Sequence, residues 1–349
     1  MKIAVLLPAS PFIYGGGEKM ADDLVYYLNK YGHQAKRYDT IHAGKRARHV
    51  IKGQLNSHLL RFDDVDLVIP LTPVNMAVQH DNIVPWLIGQ TKVMYEFFDN
   101  PIGFGKFGAE GEVIRSLNKS NDNRAFSRLK RMYTISPRTQ ELFVKHNGYA
   151  PEVLILPLQN EDKFYCTEYG DYVMYHSRIL YQKRQLLVAQ AMEYTKTDVK
   201  LLLVGADNAP SYTEEIRQFI KEKKLENKIM FKVGRFSDEQ KYDWLSKCLA
   251  GFYMGEDEDY WAIVTTEVMM SRKPVIAPED TGATKYVVID GETGYQPKGT
   301  PQAIAEAIDK LYLDKQNAKR MGENGNRLIR KISPSWKTVV ETLTGEVCR

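Results

Sequence analysis

The chain has 349 residues, 43% of them hydrophobic and 26% charged, with a formal net charge of +4. That length exceeds what one core holds comfortably and suits two domains of about 150 residues each, while so mild a charge argues against a nucleic-acid partner. Cys166, Cys248 and Cys348 are scattered and form no C-x-x-C, which indicates neither a disulfide framework nor zinc. No apolar run approaches the roughly 18 residues that span a bilayer, and Met1-Lys2 leads straight into a strand-like run, which sets the expectation of a cytoplasmic protein.

Ile3 to Leu7 is a continuous apolar run, the mark of a buried parallel strand. Gly15-Gly16-Gly17 follow a loop and precede a helical stripe of Met20, Leu24, Tyr27 and Leu28, so the chain opens as strand, glycine turn and helix. At Gly16 and Gly17 a backbone without Cβ admits a phosphate or sugar, although the same glycines would also serve a plain tight turn. Lys45, Arg46, Arg48, His49 and Lys52 then form a basic cluster on a helix. It reads either as a solvated face or as an anchor for an anionic membrane surface.

Asp66 to Pro70 and Lys92 to Tyr95 read as further strands. Gly103-Phe104-Gly105-Lys106-Phe107-Gly108 matches G-x-G-x-x-G formally, but Asp99-Asn100-Pro101 separates it from any strand, so it is read as a decoy for a dinucleotide site. Ser116 to Arg131 is polar and basic, Met132 to Ile135 is strand-like, and Ser136-Pro137 starts a helix. Val153 to Leu156 closes the first half and Pro157 to Tyr169 reads as a linker.

The alternation then restarts, as a second α/β domain would. Strands are read at Tyr172 to Tyr175, Val199 to Gly205 and Ile229 to Phe231, with helices over Lys183 to Met192 and Tyr212 to Lys223. Ser237 and Gln240 form a capping box, Thr300-Pro301 opens a helix, another runs from Asn317 to Lys331, and Ser333-Pro334 opens a last one around Trp336.

The stretch from Gly255 to Ala277 carries the most chemistry. An acidic loop, Glu256 to Asp259, leads into a helix expected to begin near Ala262, and Glu267 lies eight residues beyond Asp259. Both carboxylates can then face one cleft beside free helix amides, a receptacle for phosphate. Asp257-Glu258-Asp259 also fits D-x-D, a manganese pattern, but only as three letters in an acidic run; no metal is expected. His176-Ser177-Arg178 ends a strand, and Lys183 stands five residues after Arg178.

Asp259 to Glu267, followed by Val-Met-Met-Ser-Arg-Lys-Pro-Val-Ile-Ala, resembles the acidic-x7-Glu signature of family 4 of the retaining glycosyltransferases, the glycosyl transferases group 1, which have the GT-B fold. The resemblance extends to the Gly-Arg-x4-Lys pattern at Ser177-Arg178 and Lys183, to Val204-Gly205-Ala206-Asp207, Val233-Gly234-Arg235 and Thr281-Gly282-Ala283, and to Asp290-Gly291-Glu292-Thr293-Gly294. It is strong over residues 172–296 and weak before them. Three departures stand out: Asp259 replaces the usual Glu, Tyr260-Trp261-Ala262 replaces Gly-Phe-Gly, and Ser177 replaces Gly. Where the family often has a cleft His, this chain reads Glu96-Phe97-Phe98-Asp99, leaving Asp99 as the nearest polar candidate on the acceptor side; Tyr286 stands where a late Glu is usual.

The resemblance implies an α/β protein of the GT-B class, two Rossmann-like doubly wound domains with an interdomain cleft. The acceptor domain would span 1–160 and the nucleotide-sugar domain 161–331, with 332–349 forming a helix that packs back on the first. It implies transfer of a hexose from a UDP- or GDP-linked sugar to a glycan or lipid-linked acceptor with retention, without a cofactor or metal. Arg178 and Lys183 would hold the diphosphate and Asp259 the sugar. Glu267, Gly205, Trp261, Ala262, Ile263, Val264, Gly16 and Gly17 would bind the donor, and Lys45, Arg46, Arg48 and Lys52 would face a membrane surface. A same-fold sugar-nucleotide epimerase or phosphorylase, or a catalytically silent nucleotide-binding protein, is the alternative.

Overall fold

The computed structural model describes residues 1–9, 14–41, 46–256, 261 and 263–345. The chain divides into two compact units, Met1–Pro157 with Pro334–Arg349, and Leu158–Ser333.

Unit 1 runs β1 (Lys2–Ala9), α1 (Gly16–Lys30), β2 (Gln34–Ile41), α2 (Arg48–Leu59), β3 (Leu67–Pro70), β4 (Trp86–Leu87), α3 (Ala109–Phe126), β5 (Tyr133–Thr134), α4 (Pro137–Asn147) and β6 (Glu152–Val153). Its strands form two parallel sheets, ordered β2-β1-β3 and β4-β5-β6. Ile3 to Leu7 are all buried, as a strand covered on both faces requires. The C-terminal helix, Trp336–Thr344, belongs to this unit: the Trp336 ring stacks on Tyr27 at 4.5 Å and meets Trp86 edge-on at 6.2 Å. Its cap is Ser335, whose side chain accepts from Thr338 N; Ser333, read as the opening residue, instead ends the helix before it.

One further expectation fails in unit 1. Lys92 to Tyr95 is not a strand but a 3-10 turn, Lys92–Met94, because Met94 and Tyr95 pack with Phe98 and Phe104 in a local cluster; a short apolar run alone does not distinguish the two. Helix α3 covers most of the polar, basic stretch that begins at Ser116, and its buried face carries Asn118 and Asp122 beside Ala125 and Phe126. The G-x-G-x-x-G run forms a tight loop: a Cβ on Gly103 would lie 1.6 Å from Phe97 O, and one on Gly105 2.6 Å from Phe98 O, so backbone crowding accounts for both glycines.

Unit 2 runs β7 (Tyr172–His176), α5 (Gln185–Tyr194), β8 (Lys200–Gly205), α6 (Pro210–Glu222), β9 (Ile229–Val233), α7 (Asp238–Lys247), β10 (Ala250–Phe252), α8 (Ile263–Met270), β11 (Val275–Ile276), β12 (Gly294–Tyr295), α9 (Pro301–Leu313) and α10 (Lys315–Ile332). Its six strands are parallel and ordered β12-β11-β10-β7-β8-β9. The core joins Tyr175, Leu201, Leu203 and Phe252 of the sheet to Ile216, Ile304 and Ile308 of the helices. The chain steps outward through β8 and β9, then returns to place β10 on the other side of β7. That reversal opens a crevice at the carboxyl ends of β7 and β10, where doubly wound sheets bind ligands.

Candidate functional site

His176 is the last residue of β7, and α8 is the element that follows β10 in the chain. Glu267, on α8, meets His176 there: its Oε2 lies 2.8 Å from His176 Nε2, and its Oε1 2.7 Å from Lys241 Nζ on α7. The Glu267 side chain is 13% exposed and that of His176 10%. Burial by itself pushes the carboxyl's proton affinity up, but the His176 hydrogen bond and the Lys241 ammonium outweigh it and bring the pKa down to about 2. Glu267 is therefore an ionised acceptor throughout the neutral range, and Nε2 of His176 must donate to it. His176 Nδ1 is buried without a partner among the described residues.

The cations of the Arg-x4-Lys pattern stand at the same end of the sheet. Arg178 is exposed two residues beyond β7, and its carbonyl accepts from Gln185 Nε2 at 2.8 Å. Lys183 ends a single 3-10 turn, Tyr181–Lys183, with its Nζ 5.2 Å from the Tyr253 ring centre. The helix read as starting at Lys183 starts at Gln185, because Arg184 takes a left-handed φ of 47°. Arg184 thereby turns back on the sheet: its Nε donates to Met254 O at 2.5 Å, and its Nη1 and Nη2 grip Asp280 at 2.7 and 2.8 Å. This fork holds the Asp280 carboxyl below its ordinary range and fixes the residue just before Gly255, the root of the acidic loop.

Gly205 ends β8, where a Cβ would lie 1.8 Å from Ser177 O. Contact between neighbouring strands therefore requires glycine here, whatever else approaches. Trp261 is buried, its Nε1 unpartnered among the described residues, and Ile263 and Val264 open α8 half-buried. Asp259 and Ala262 lie outside the described residues, as do Asp257 and Glu258 of the D-x-D run.

In unit 1, Gly16 and Gly17 open α1, and a Cβ on Gly17 would meet Ile88 Cδ1 at 3.4 Å, an ordinary contact. Asp99 is exposed on a turn; the buried acid of that segment is Glu96, with its Oε1 2.6 Å from His146 Nε2. Arg48 and Lys52 are exposed on α2 and Arg46 just before it, while Lys45 lies outside the described residues.

Residues 166–328 match the family model described as glycosyl transferases group 1. Nearly all of unit 2 is thus similar to a group 1 glycosyltransferase domain. Across nearly the whole chain the fold is GT-B. Sucrose-phosphate synthase from Thermosynechococcus elongatus superposes with a TM-score of 0.77 at 17% identity over 99% of this chain and 97% of that one. Anabaena HepE in complex with UDP superposes at 0.72 with 16% identity over 99% of each chain. A 125-residue segment is 34% identical to alpha-1,3/1,6-mannosyltransferase ALG2 of Dictyostelium discoideum, covering 36% of this chain and 29% of that protein. The matched stretch contains every described site residue of unit 2, from His176 to Asp280.

Sequence reasoning named Glu267, Arg178 and Lys183 but gave no role to His176, Lys241 or Arg184. His176 stands inside the His-Ser-Arg run, so proximity to Arg178 was its signal. Lys241 carried none: it is one of two lysines on a capped helix, and only folding brings it to Glu267.

Proposed function

We propose that the protein transfers a hexose from a UDP- or GDP-linked sugar to a glycan, lipid-linked or other acceptor, with retention at the anomeric carbon and without a metal. The observation that carries this reading is a buried carboxylate, Glu267, kept ionised at the switch point of a group 1 domain, on the same sheet end as Arg178 and Lys183. Departure of the nucleotide diphosphate is the difficult step, and negative charge grows on it in the transition state. Arg178, Lys183 and the amides that open α8, at Ile263 and Val264, would stabilise that charge. Glu267 would accept from the ribose hydroxyls and Asp259 from the sugar hydroxyls. Gly205 lines the diphosphate side in this reading. In unit 1, Gly16 and Gly17 are assigned to the donor and Asp99 to the acceptor.

Thermal-shift screening against UDP, GDP, UDP-glucose and GDP-mannose, with and without EDTA, tests the reading. HepE was solved with UDP, and the ALG2 relative is a mannosyltransferase, which makes both nucleotides worth the comparison. A ligand at about 100 times its Kd stabilises by about 2.7 kcal/mol, which is a rise in Tm of roughly 5 to 10 °C for a domain of this size. One nucleotide should give that rise, unchanged by EDTA; no shift with any of the four would overturn the reading. Release of product in the absence of acceptor would indicate hydrolysis rather than transfer.

We further propose that the acceptor side meets an anionic membrane surface through α2. Arg48, Lys52, Leu55 and Leu59 share helical spacing, with Leu55 55% and Leu59 67% exposed. No acidic residue occurs from Ile41 to Phe62. No helix among the described residues is long and apolar enough to cross a membrane. Each near-surface cation contributes about 1 kcal/mol, so the double variant Arg48→Gln, Lys52→Gln should sediment with anionic vesicles roughly thirtyfold less strongly. Equal sedimentation with purely zwitterionic vesicles would dismiss the idea.

A further inference from the structure

Glu267 takes its two partners from elements far apart in the chain, His176 from the end of β7 and Lys241 from the third residue after the start of α7. An ionised carboxylate has about four acceptor positions. His176 fills one on Oε2 and Lys241 one on Oε1, so each oxygen keeps one more, the arrangement a pair of vicinal hydroxyls needs. The lysine is itself held: its Nζ lies 3.0 Å from Asp238, and 6.0 and 5.4 Å from the ring centres of Phe164 and Tyr242. A carboxylate gripped at both oxygens cannot swing about its terminal torsion, which is otherwise broad and soft.

We propose that Lys241 and His176 are positioning residues that clamp the Glu267 carboxylate in the one orientation in which its free acceptor positions receive the two vicinal hydroxyls of a nucleotide ribose. The inference rests on the reading above that Glu267 takes the ribose.

The clamp has a consequence that a mere structural ion pair lacks. With Lys241 present, Glu267 stays ionised far below neutral pH, and its ability to accept hydroxyls does not change between pH 5.5 and 8. Without Lys241, burial acts against a single remaining partner, and the carboxyl gains affinity for a proton. A protonated carboxyl gives up acceptor capacity, so ribose binding should weaken as the pH falls. Among the described residues, the charged and titratable groups facing this carboxylate are His176 and Lys241, with Asp238 behind the lysine and Tyr242 beside it. Strands β10 and β11, against which α8 also packs, carry only apolar residues, and α10 presents Gly325 and Asn326 to Met269 and Met270.

The test is calorimetric titration of UDP and GDP into the full chain at pH 5.5 and 8, for the wild type and for Lys241→Met, Lys241→Arg, His176→Asn and Glu267→Gln. Dividing each variant's affinity by that of the wild type at the same pH removes the nucleotide's own protonation. Lys241→Met should bind about tenfold more weakly than wild type at pH 8, with a loss several times larger at pH 5.5. Lys241→Arg should recover most of the affinity and flatten the profile. His176→Asn, which keeps a donor without the ring, should weaken binding less than Lys241→Met; should Lys241→Met not fold, the pH ratio of His176→Asn decides. If Glu267→Gln loses affinity while Lys241→Met matches wild type at both pH values, the clamp is wrong and the ribose reading stands. If Lys241→Met lowers Tm but leaves the ratio between the two pH values unchanged, the lysine is structural and the clamp is again wrong. If Glu267→Gln binds as wild type does, the ribose reading falls and the clamp falls with it.

Discussion

Arg178→Ala should reduce turnover by about two to three orders of magnitude, the usual cost of removing one donor that stabilises developing charge. Arg178 sits just past the end of β7, exposed, and its guanidinium has no partner among the described residues. Its backbone is nevertheless fixed, because the Arg178 carbonyl accepts from Gln185 at the start of α5. A cation on an anchored backbone with an unengaged head is suited to an anionic ligand. It is poorly suited to a structural ion pair, and exposed substitutions of this kind typically change stability by no more than about 0.5 kcal/mol. The variant should therefore keep the wild-type Tm while losing kcat, and Arg178→Lys should recover only part of the rate because it lacks the planar fork. Initial rates with saturating nucleotide-sugar, alongside a melting curve, make the comparison. Turnover within a few-fold of wild type would remove Arg178 from the mechanism.

Asp122→Asn should raise stability at pH 8 and do so less at pH 5. Asp122 is buried on α3 among neutral donors: Tyr95 Oη at 2.7 Å, Asn118 Nδ2 at 3.0 Å and Gln54 Nε2 at 3.1 Å. No cation is among them. Burial pushes its carboxyl up to about 7, and the three hydrogen bonds offset that only in part. The unfolded chain releases this proton near pH 4. Between those values the folded state binds more protons than the unfolded one, so stability falls as pH rises through the window. Three pH units correspond to about 4 kcal/mol, lessened by whatever the amide loses where its NH2 faces Gln54 Nε2. Chemical denaturation at pH 5 and 8 should thus show a gain of about 2 to 3 kcal/mol for the variant at the higher pH, most of it gone at the lower. Parallel pH profiles for the two proteins would mean that Asp122 does not titrate in this range.

Much of the architecture follows from patterning that is local in the chain. Continuous apolar runs at Ile3 to Leu7 and Leu201 to Val204 are strands because parallel sheets are covered on both faces, and Ser136, Ser237 and Thr300 cap the helices that follow them. The Arg-x4-Lys spacing and the acid preceding a helix were equally legible, since each is a property of one short segment. The misreading of Lys92 to Tyr95 was a local signal overruled by burial elsewhere: Met94 and Tyr95 found an apolar cluster off the sheet. The burial of Asn118 and Asp122 on α3 had no local signal at all, since polar residues ordinarily face water.

By itself the sequence determined that this is an α/β protein whose second half carries the group 1 glycosyltransferase pattern, and it marked Glu267, Arg178 and Lys183 as the residues proposed above to meet the donor. It determined this because hydrophobic period, caps and short motifs are written in adjacent residues. Only the tertiary structure decided what holds Glu267. His176, Lys241 and Glu267 lie on three elements that meet at the end of one parallel sheet, and Arg184, at a φ of 47°, reaches Met254 and Asp280, 70 and 96 residues away in the chain. Such long-range pairings leave no periodic trace, since the residues that meet are set by strand order and not by spacing along the chain.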